Sequence, residues 1–352
     1  MKLNELPVKT YRWLNVNEYI FEDVLEYKKF KGRIEITSDN DILIKNSLDV
    51  DTQYFDKTEE ESSFEMQNYI NENFNSGVFI HAKKSHQIPV KIDFKVESDD
   101  LLIDKNIIIA DENSNITIIF NYEGAGKSNH FGITKIFAKK NSIVNIIKVQ
   151  RLNDSSTHID TVLGYADDGA NIKFIQVEVG AKNAITNYFT RLNGFSSSSD
   201  IKAIYFGDKE RVLDLSYKTY HIGRKTKGNI EVKGALKDDA KKIFKGTLDF
   251  VKGCKMSKGS EEEYTILLSK DAKSDSVPLL LCSEDDVEGA HAASTGKLDE
   301  NKLFYIMSRG FTENQAKLLL IEASLKPVID LIPDEKIREE IWNSIEGRID
   351  NV

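Results

Sequence analysis

A repeat with a period of 28 residues is the feature that most restricts how this chain can fold. Four alanines mark the repeat, and an apolar residue follows each of them six positions later. The alanines are Ala82, Ala110, Ala138 and Ala166, and the apolar residues are Ile88, Ile116, Val144 and Ile172. Each unit has an apolar segment, a polar turn opened by the alanine and a second apolar segment. A fixed period in the range of about 20–50 residues indicates stacked supersecondary units.

The absence of a helical segment within each unit favours a parallel β-helix, or β-solenoid. An ordinary β-sandwich with coincidental spacing is the alternative, and the four matched registers argue against it. The next unit is looser, because Gly194 stands at the next 28-residue step but the apolar Ile201 comes one position late. Apolar segments with strand character continue beyond this unit, so the solenoid is predicted to extend towards the C-terminal part of the chain.

On this basis the sequence divides into three parts, and the predicted fold class is mainly β. Residues 1–76 form a short N-terminal α/β region, residues 77–298 the parallel β-helix core, and residues 299–352 a C-terminal α-helical domain. Within the N-terminal region, residues 18–30 are expected to form an amphipathic helix. Residues 31–48 alternate apolar and polar side chains, which predicts a β-hairpin.

The C-terminal domain has helical periodicity and recognisable helix ends. A first short helix is expected to end near Gly310, and Thr312 with Gln315 has the spacing of a capping box that starts the next helix. The apolar face of that helix is predicted to contain Ala316, Leu319, Leu320, Ala323 and Leu325. Pro327 is expected to kink or break it. A last helix, capped by Asp334, repeats isoleucine at Ile337, Ile341, Ile345 and Ile349.

Charge and composition argue against several classes of function. The 352-residue chain has a net charge of −9, whereas a dedicated nucleic-acid-binding protein usually has a basic face. No stretch approaches 18 consecutive apolar residues, so no membrane span is expected, and the N-terminus lacks the apolar core of a secretory signal. Two cysteines without a CxxC pair indicate neither a disulfide framework nor a closed zinc site. These features together predict a reducing, cytoplasmic setting.

One glycine-rich motif suggests nucleotide binding, but its surroundings oppose that interpretation. Residues 124–128 read GAGKS, yet a phosphate-binding loop needs a glycine at the position of Asn121 and a helix after the motif. The segment instead leads into the strand-like ITKIF, so a turn between two coils is expected. Five histidines without carboxylate or cysteine at ligand spacing are expected to be structural or surface groups: His81, His86, His130, His158 and His221.

The junction between the predicted solenoid and the helical domain contains the candidate functional residue, His291. Small residues flank it: Gly289, Ala290, Ala292, Ala293 and Ser294. Such neighbours allow another backbone or subunit to approach closely, and a neutral imidazole is a good ligand for iron or zinc. A satisfied core histidine is the alternative. Cys282 ends the run PLLLC, and it is either a buried core thiol or, on an adjacent strand, the partner of His291 in a metal-binding pair.

These segments resemble a known family. Residues 289–317, GAHAASTGKLDENKLFYIMSRGFTENQAK, are similar to the C-terminal signature of the SufB/SufD family of iron–sulfur cluster assembly proteins. That signature contains a histidine among small residues, a Leu/Ile-Phe-Tyr step and a Ser-Arg-Gly helix end. The upstream segments KKIFKGTLDF, YTILLS and SVPLLLC are similar to strands of the family, and LPVKTYRWLN is similar to its N-terminal segment. The resemblance is strongest over residues 200–325.

Within the family the chain is most similar to SufD. SufB proteins have a functional cysteine shortly after the Leu-Leu-Ser strand, where this chain reads LLSKDAKSDSVP, and a His-Glu pair where Ala292 follows His291. The resemblance implies a right-handed parallel β-helix, flanked by an N-terminal region and a C-terminal helical domain. It also implies that His291 lies opposite the SufB cysteine at the interface of a heterodimer, as a candidate ligand of iron or of the nascent cluster.

The resemblance implies partners as well. SufD proteins pair with SufB through the β-helix and bind the SufC ATPase through the C-terminal helices, and ATP-driven SufC dimerisation is thought to rearrange the SufB–SufD interface. The chain is then a non-enzymatic scaffold subunit that helps iron enter the cluster. Iron or cluster is held transiently in the complex, and the chain alone binds no cofactor tightly. In isolation the chain is either a monomer or a homodimer that substitutes for the heterodimer. The competing hypotheses are a carbohydrate-active β-helix enzyme and a purely structural solenoid.

Overall fold

The structure is a computed structural model that describes residues 1–10, 12–22, 27–39, 41–52, 55 and 64–349. Two long sheets face each other and enclose a continuous apolar core, which we call the lumen. Between the two ends of the solenoid, strands that are neighbours in a sheet are alternate strands in the sequence, so each coil contributes one strand to each sheet. The prediction of a mainly β parallel solenoid is confirmed, and the solenoid has about eight turns.

The two sheets contain nine and ten strands. In spatial order, sheet I consists of β3 (Arg33–Thr37), β6 (Val90–Val96), β8 (Asn115–Gly124), β10 (Ile143–Arg151), β12 (Asn171–Glu178), β14 (Ser198–Gly207), β16 (Lys227–Leu236), β18 (Ser257–Leu267) and β21 (Val287–Lys297). Sheet II consists of β4 (Leu43–Asn46), β5 (Val78–Ala82), β7 (Leu101–Ala110), β9 (Asn129–Ala138), β11 (Thr157–Ala166), β13 (Asn183–Leu192), β15 (Val212–His221), β17 (Lys241–Phe250) and β19 (Lys273–Ser276), with β20 (Leu279–Cys282) also paired to β17. A small separate pair is formed by β1 (Lys2–Leu3) and β2 (Tyr19–Ile20).

The 28-residue repeat is the coil of the solenoid. The four repeat alanines are buried and lie side by side at the ends of β5, β7, β9 and β11. Beyond them the coil shortens, because Ala166 pairs with Leu192 and Ile172 pairs with Ser199. Ile201 therefore lies beside Phe174, which explains why the repeat loses its fixed spacing at this point. The GAGKS segment is the turn between β8 and β9, as expected.

The N-terminal end of the solenoid is capped by two antiparallel strands, and here one prediction was wrong. Residues 31–48 were expected to pair with each other, but β3 pairs with β6 in sheet I and β4 pairs with β5 in sheet II. Each strand thereby covers the exposed edge of a different sheet, which satisfies backbone groups that a lone hairpin would leave open. The helix expected over residues 18–30 is absent from its described part, where β2 lies; residues 23–26 fall outside the described residues.

The N-terminal segment packs on the outer face of sheet II and is fixed there by a buried ion pair. Lys245 contacts both carboxylate oxygens of Asp214, at 3.0 and 2.9 Å, and both side chains are fully buried. The side chain of Asn4 donates to the same carboxylate at 2.8 Å, and Lys245 donates to the Asn4 carbonyl at 3.0 Å. Helix α1 (Phe64–Asn73) covers the same face nearer the start of the solenoid, where Met66 and Ile70 are buried.

Three helices follow the last strand: α2 (Glu300–Met307), α3 (Glu313–Ile329) and α4 (Glu335–Ile349). The capping box of Thr312 and Gln315 is confirmed, and so is the buried isoleucine row of α4. Pro327 does not break α3, because it lies in the last turn of a helix that ends two residues later. The apolar face of α3 was only partly predicted, since Leu319 is exposed. The buried residues of α3 are Ala316, Ile321, Leu325, Val328 and Ile329.

Helices α3 and α4, which we call the C-terminal helix pair, lie along the outer face of sheet I. Their buried side chains form one core with outward-facing residues of six strands: Ile119, Ile147, Val149, Val177, Ile204, Phe206, Ala235 and Ile266. Charged contacts reinforce this packing: Lys91 with Asp334 at 3.0 Å, and Arg151 with Glu340 at 2.7 Å. Within the described part of the chain, no helix is both long and apolar enough to cross a membrane.

Candidate functional site at the open end of the solenoid

The two ends of the solenoid differ. The first end is capped by β3 and β4, whereas none of the described strands pairs with the outer edges of β19, β20 and β21. Strand β21 is exposed along nearly its whole length, on both of its faces. The lumen therefore opens to solvent at this end, and we call the opening the mouth. By register, the lumen-facing residues of the last coil are Ser274, Ser276, Leu280, Cys282, Gly289, His291, Ala293 and Thr295.

His291 lies in the middle of β21 and faces the mouth. It pairs in register with Glu261 on β18, which in turn pairs with the lumen-facing Ile230 on β16. Alternation along the strand therefore directs His291 into the lumen rather than towards the outer face. Its side chain is exposed because no further coil covers it. The alternative of a satisfied core histidine is therefore wrong, while a metal-binding role stays a prediction.

Cys282 also faces the mouth, but at a different place from His291. It is exposed rather than buried, so the core-thiol alternative was wrong, and its thiol donates to the Glu284 carbonyl at 3.1 Å. Strands β20 and β21 belong to opposite sheets of the same coil, so the two residues are not on adjacent strands. Leu280 packs close to Gly289, where an added Cβ would lie 2.8 Å from Leu280 Cδ1. Pairing of Cys282 with His291 on one metal ion stays a prediction.

Two glutamates of β18 form the floor of the mouth, and their environments differ. Glu263 accepts hydrogen bonds at both oxygens, from Lys242 and Thr265 at Oε1 and from Ser276 at Oε2. Glu261 is also buried, but its Oε2 has no hydrogen-bond partner. Burial, assisted by the nearby Glu263, raises the pKa of Glu261 to about 8. Among the described residues, no group of three or more His, Cys, Asp or Glu could hold a metal ion.

A second polar cluster is sealed inside the lumen, several coils away from the mouth. We call it the lumen cluster, and it consists of Asp104, Tyr122, His130, Lys148, His158, Asp160 and Glu178, all at most 1% exposed. His130 contacts Asp104 through Nε2 at 3.1 Å and His158 through Nδ1 at 2.8 Å. Lys148 contacts both oxygens of Asp160 at 2.8 Å. Charged groups buried at this density need partners, and most of these groups have them.

Two histidines of the lumen cluster contact each other through their Nδ1 atoms. An Nδ1–Nδ1 contact between two imidazoles holds only if one nitrogen donates and the other accepts. A proton on Nε2 of His130 is donated to the Asp104 carboxylate, and one of the two Nδ1 atoms holds the proton of the contact between the rings. Burial, with the positive charges of His130 and Lys148 nearby, holds the pKa of His158 well below its usual value. Glu178 lies 3.7 Å from Nε2 of His158, and burial raises its pKa to about 8.

Sequence reasoning missed both the lumen cluster and Glu261, although part of the signal was present. His130 and His158 are separated by the same 28 residues as the repeat alanines, and they are direct neighbours on β9 and β11. Asp104 and Asp160 are two such steps apart, with Gly132 between them in the same row. Charged residues that recur at the coil period share a lumen row, so repeat spacing rather than motif spacing would have revealed the cluster.

Exposed apolar side chains mark the helical region beside the mouth. No residue of α2 is buried, and Phe304 and Tyr305 are 73% and 58% exposed. Phe311, in the loop before α3, is exposed as well. Most solvent-facing aromatic residues occur singly in a folded protein, so three of them within eight positions form an unusual exposed apolar surface.

Comparison with known proteins agrees with these features. Residues 94–324 match the family model described as SUF system FeS cluster assembly, SufBD core domain. The chain is 30% identical to the iron–sulfur cluster assembly protein SufD of Bacillus subtilis, over 78% of this chain and 64% of that protein. It is 24% identical to a SufBD family protein of Mycobacterium leprae, over 74% and 30%, and 23% identical to one of Staphylococcus saprophyticus, over 90% and 70%.

The fold and the mouth define a β-solenoid scaffold with one capped end, one open end and helices docked along one sheet. The family match covers well over half of the chain. The chain belongs to the SufBD family of iron–sulfur cluster assembly proteins, and within it is most like SufD. The resemblance noted in the sequence is thereby confirmed.

Proposed function

We propose that this chain is a SufD-like scaffold subunit of a SUF iron–sulfur cluster assembly complex in the cytoplasm. In this role it pairs with a SufB-like protein through the mouth, binds a SufC-type ATPase through its C-terminal helices and assists iron entry into the nascent cluster. It performs no catalysis of its own, and iron or cluster is cargo that it holds transiently.

Pairing with a second solenoid is supported by a difference between the two ends of this one. Solenoids normally require a terminal cap, because an uncovered coil presents unpaired backbone groups and the apolar lumen to water. This chain caps its first end with β3 and β4 and leaves β21 exposed. A second solenoid placed against the mouth removes that exposure. The small side chains of Ala290, Ala292 and Ala293 allow the close approach that such an interface needs.

His291 is the iron ligand that this chain contributes to that interface. It is an exposed imidazole in the centre of the uncovered strand, and imidazole nitrogen is a suitable ligand for ferrous iron. One histidine is too few for a stable site, so the remaining ligands must come from the partner, from the floor of the mouth or from the cluster itself. Coordination by a single exposed side chain is weak, which suits iron or a cluster that has to be released again.

The helical region supports the ATPase contact. The inner faces of α3 and α4 are occupied by sheet I, so a partner is restricted to their outer faces and to α2. Exposed apolar side chains are present there, notably Phe304, Tyr305 and Leu331. This arrangement also determines how the contact should be tested. Deleting the helices would uncover the apolar outer face of six strands, and loss of binding would then not be distinguishable from loss of folding.

The test is co-expression of the full chain with SufB-like and SufC-like candidates, followed by affinity capture and size-exclusion chromatography. The wild-type chain is expected to form a three-protein complex. Ala293→Arg, at the mouth, should lose the SufB-like protein only, and Phe304→Asp should lose the ATPase only. Glu112→Arg, on an exposed turn of an early coil, is the matched control and should retain both.

Cluster assembly by the captured complex then tests His291. His291→Ala should leave the complex intact and lower the yield of cluster. If the yield is unchanged, His291 has no part in the mechanism, and the chain is a purely structural solenoid that recruits the other subunits. If the wild-type chain remains alone in the co-expression experiment, the proposed function is wrong.

A further inference from the structure

The floor of the mouth contains a carboxylate that the fold does not use. Glu261 is 1% exposed, and its Oε2 has no hydrogen-bond partner. Buried polar groups in folded proteins nearly always have a partner, and a carboxylate is the most costly of them to leave without one. Glu263, two residues further along the same strand, shows the usual solution, because Lys242, Thr265 and Ser276 satisfy it.

Glu261 lies directly beneath His291. The two residues are partners in the register of β18 and β21, and alternation places both side chains in the same lumen row. Neighbouring strands of a sheet are about 4.8 Å apart, so the imidazole and the carboxylate start from adjacent positions. Below Glu261 the row continues with Ile230, which offers no polar group.

The opposite wall of the lumen leaves room for this carboxylate. Gly246 on β17 faces Glu261, and a Cβ at that position would collide with the carboxylate. The last coil is also interrupted here. Strand β17 pairs with β19 up to Phe244 and with β20 from Thr247, so Lys245 and Gly246 have no counterpart in a strand of that coil. Val277 and Pro278 occupy the gap between β19 and β20.

We propose that Glu261 is a second ligand, beside His291, for a divalent transition-metal ion taken up at the mouth. This inference rests on the proposed function, since it takes the mouth as the place where iron enters. One imidazole nitrogen and one carboxylate oxygen suit Fe²⁺, Mn²⁺, Co²⁺ or Zn²⁺. They do not suit Ca²⁺, which takes six to eight oxygen ligands. With two protein ligands, the ion keeps open positions for water or for groups of a partner.

The pairing explains two features together. When the ion binds, Oε2 of Glu261 gains the partner that it lacks in the fold. His291 becomes part of a binding site although no further coil covers its strand. Because most of the coordination sphere stays open, the ion is bound weakly and can be passed on. A resident structural metal would instead require a closed set of protein ligands.

The experiment uses the full-length chain and Co²⁺ as the probe, which replaces Fe²⁺ without oxidation. Binding is measured by calorimetry and visible absorption up to about 1 mM Co²⁺. The wild-type chain is expected to bind one ion saturably. Glu261→Gln and His291→Ala should each weaken binding at least tenfold, and the double variant should be little weaker than either single variant. Glu262→Gln is the matched control, because it changes the adjacent glutamate of the same strand, which faces outward and is exposed.

Thermal unfolding separates a ligand from a structural residue. Because Glu261→Gln replaces a buried ionisable group, whose Oε2 lacks a partner, by a neutral one of the same shape, its Tm should equal or exceed that of the wild-type chain. Unchanged Co²⁺ affinity in Glu261→Gln overturns the proposal, as does a wild-type chain that shows no saturable binding. A lower Tm together with wild-type affinity identifies Glu261 as a structural residue.

The outcome is separable from that of the proposed function. If Glu261→Gln keeps wild-type Co²⁺ affinity while His291→Ala lowers cluster yield in the complex, the scaffold function stands and the second ligand is refuted. If Glu261→Gln loses Co²⁺ while His291→Ala assembles clusters normally, the ion site stands and the role of His291 in assembly is refuted.

Discussion

Burial of Glu178 in the lumen cluster contributes to the pH dependence of this protein's stability, and Glu178→Gln should remove that contribution. The carboxylate is buried, and burial raises its pKa from an ordinary value of 4.5 to about 8. The folded chain therefore binds this proton more tightly than the unfolded chain. Between those two values the folded state holds more protons, so the contribution of Glu178 to the free energy of unfolding falls as the pH rises.

The size of the effect follows from the pKa difference. At about 1.4 kcal/mol per pKa unit, the whole rise corresponds to about 5 kcal/mol, of which about 3–4 kcal/mol falls between pH 5 and pH 8. The glutamine variant has no ionisable group at this position. The substitution also lowers the free energy of unfolding by about 1–3 kcal/mol, because the new amide N–H faces the amide donors of Gln150 and Gln176. That decrease does not depend on pH.

The measurement is urea unfolding of both chains at several pH values from 5 to 8.5, followed by circular dichroism with equal m-values as a requirement. The variant should be less stable than the wild-type chain at pH 5. Its free energy of unfolding, relative to that of the wild-type chain, should rise by about 3–4 kcal/mol between pH 5 and pH 8. Glu261 lies several coils away and titrates in both chains, so its contribution cancels in the comparison. Glu112→Gln, in an exposed turn, is the control and should not show the change of about 3–4 kcal/mol. A difference between Glu178→Gln and wild type that stays the same from pH 5 to pH 8 refutes the reasoning.

Three further variants test other parts of the fold by the same denaturation assay. Lys148→Met removes the lysine that contacts both oxygens of the buried Asp160 and should cost about 3–5 kcal/mol. Adding Asp160→Leu should recover most of that loss, and no recovery would contradict the pairing. Ile341→Ala opens a cavity between α4 and sheet I and should cost about 2–5 kcal/mol, with a value below 1 kcal/mol contradicting tight packing there. Thr312→Ala removes the α3 capping box and should cost about 1 kcal/mol, while Thr312→Ser should be close to wild type.

The repeat allowed the fold to be predicted because the coil imposes its period directly on the sequence. Alanines that are 28 residues apart in the sequence are therefore neighbours on adjacent strands of sheet II. Where the coil length changed after Ala166, the spacing changed with it, and prediction became less certain at the same point. The N-terminal strands carried no such period. Local alternation indicated that β3 and β4 are strands, but their pairing depended on which sheet edges were free.

The candidate site was predicted only in part. His291 could be located because small neighbours set it apart in the sequence, whereas Glu261 sits among the acidic residues of GSEEEY and looks like part of a solvated run. Only the register of β18 shows that alternate members of this run face the lumen. The exposed state of His291 and Cys282 could not be predicted either, because it depends on the absence of a covering coil.

The helix pair α3 and α4 changes how this solenoid can unfold. Repeat proteins with contacts only between neighbouring coils can lose terminal coils one at a time. Here the helix pair shares a core with strands from β8 to β18, and its ionic contacts reach β6 and β10. Loss of one middle coil would therefore also disrupt the packing of the helices on the other strands. The coils are therefore expected to unfold as a single cooperative unit. A force applied to the helices would be transmitted to strands along most of the solenoid.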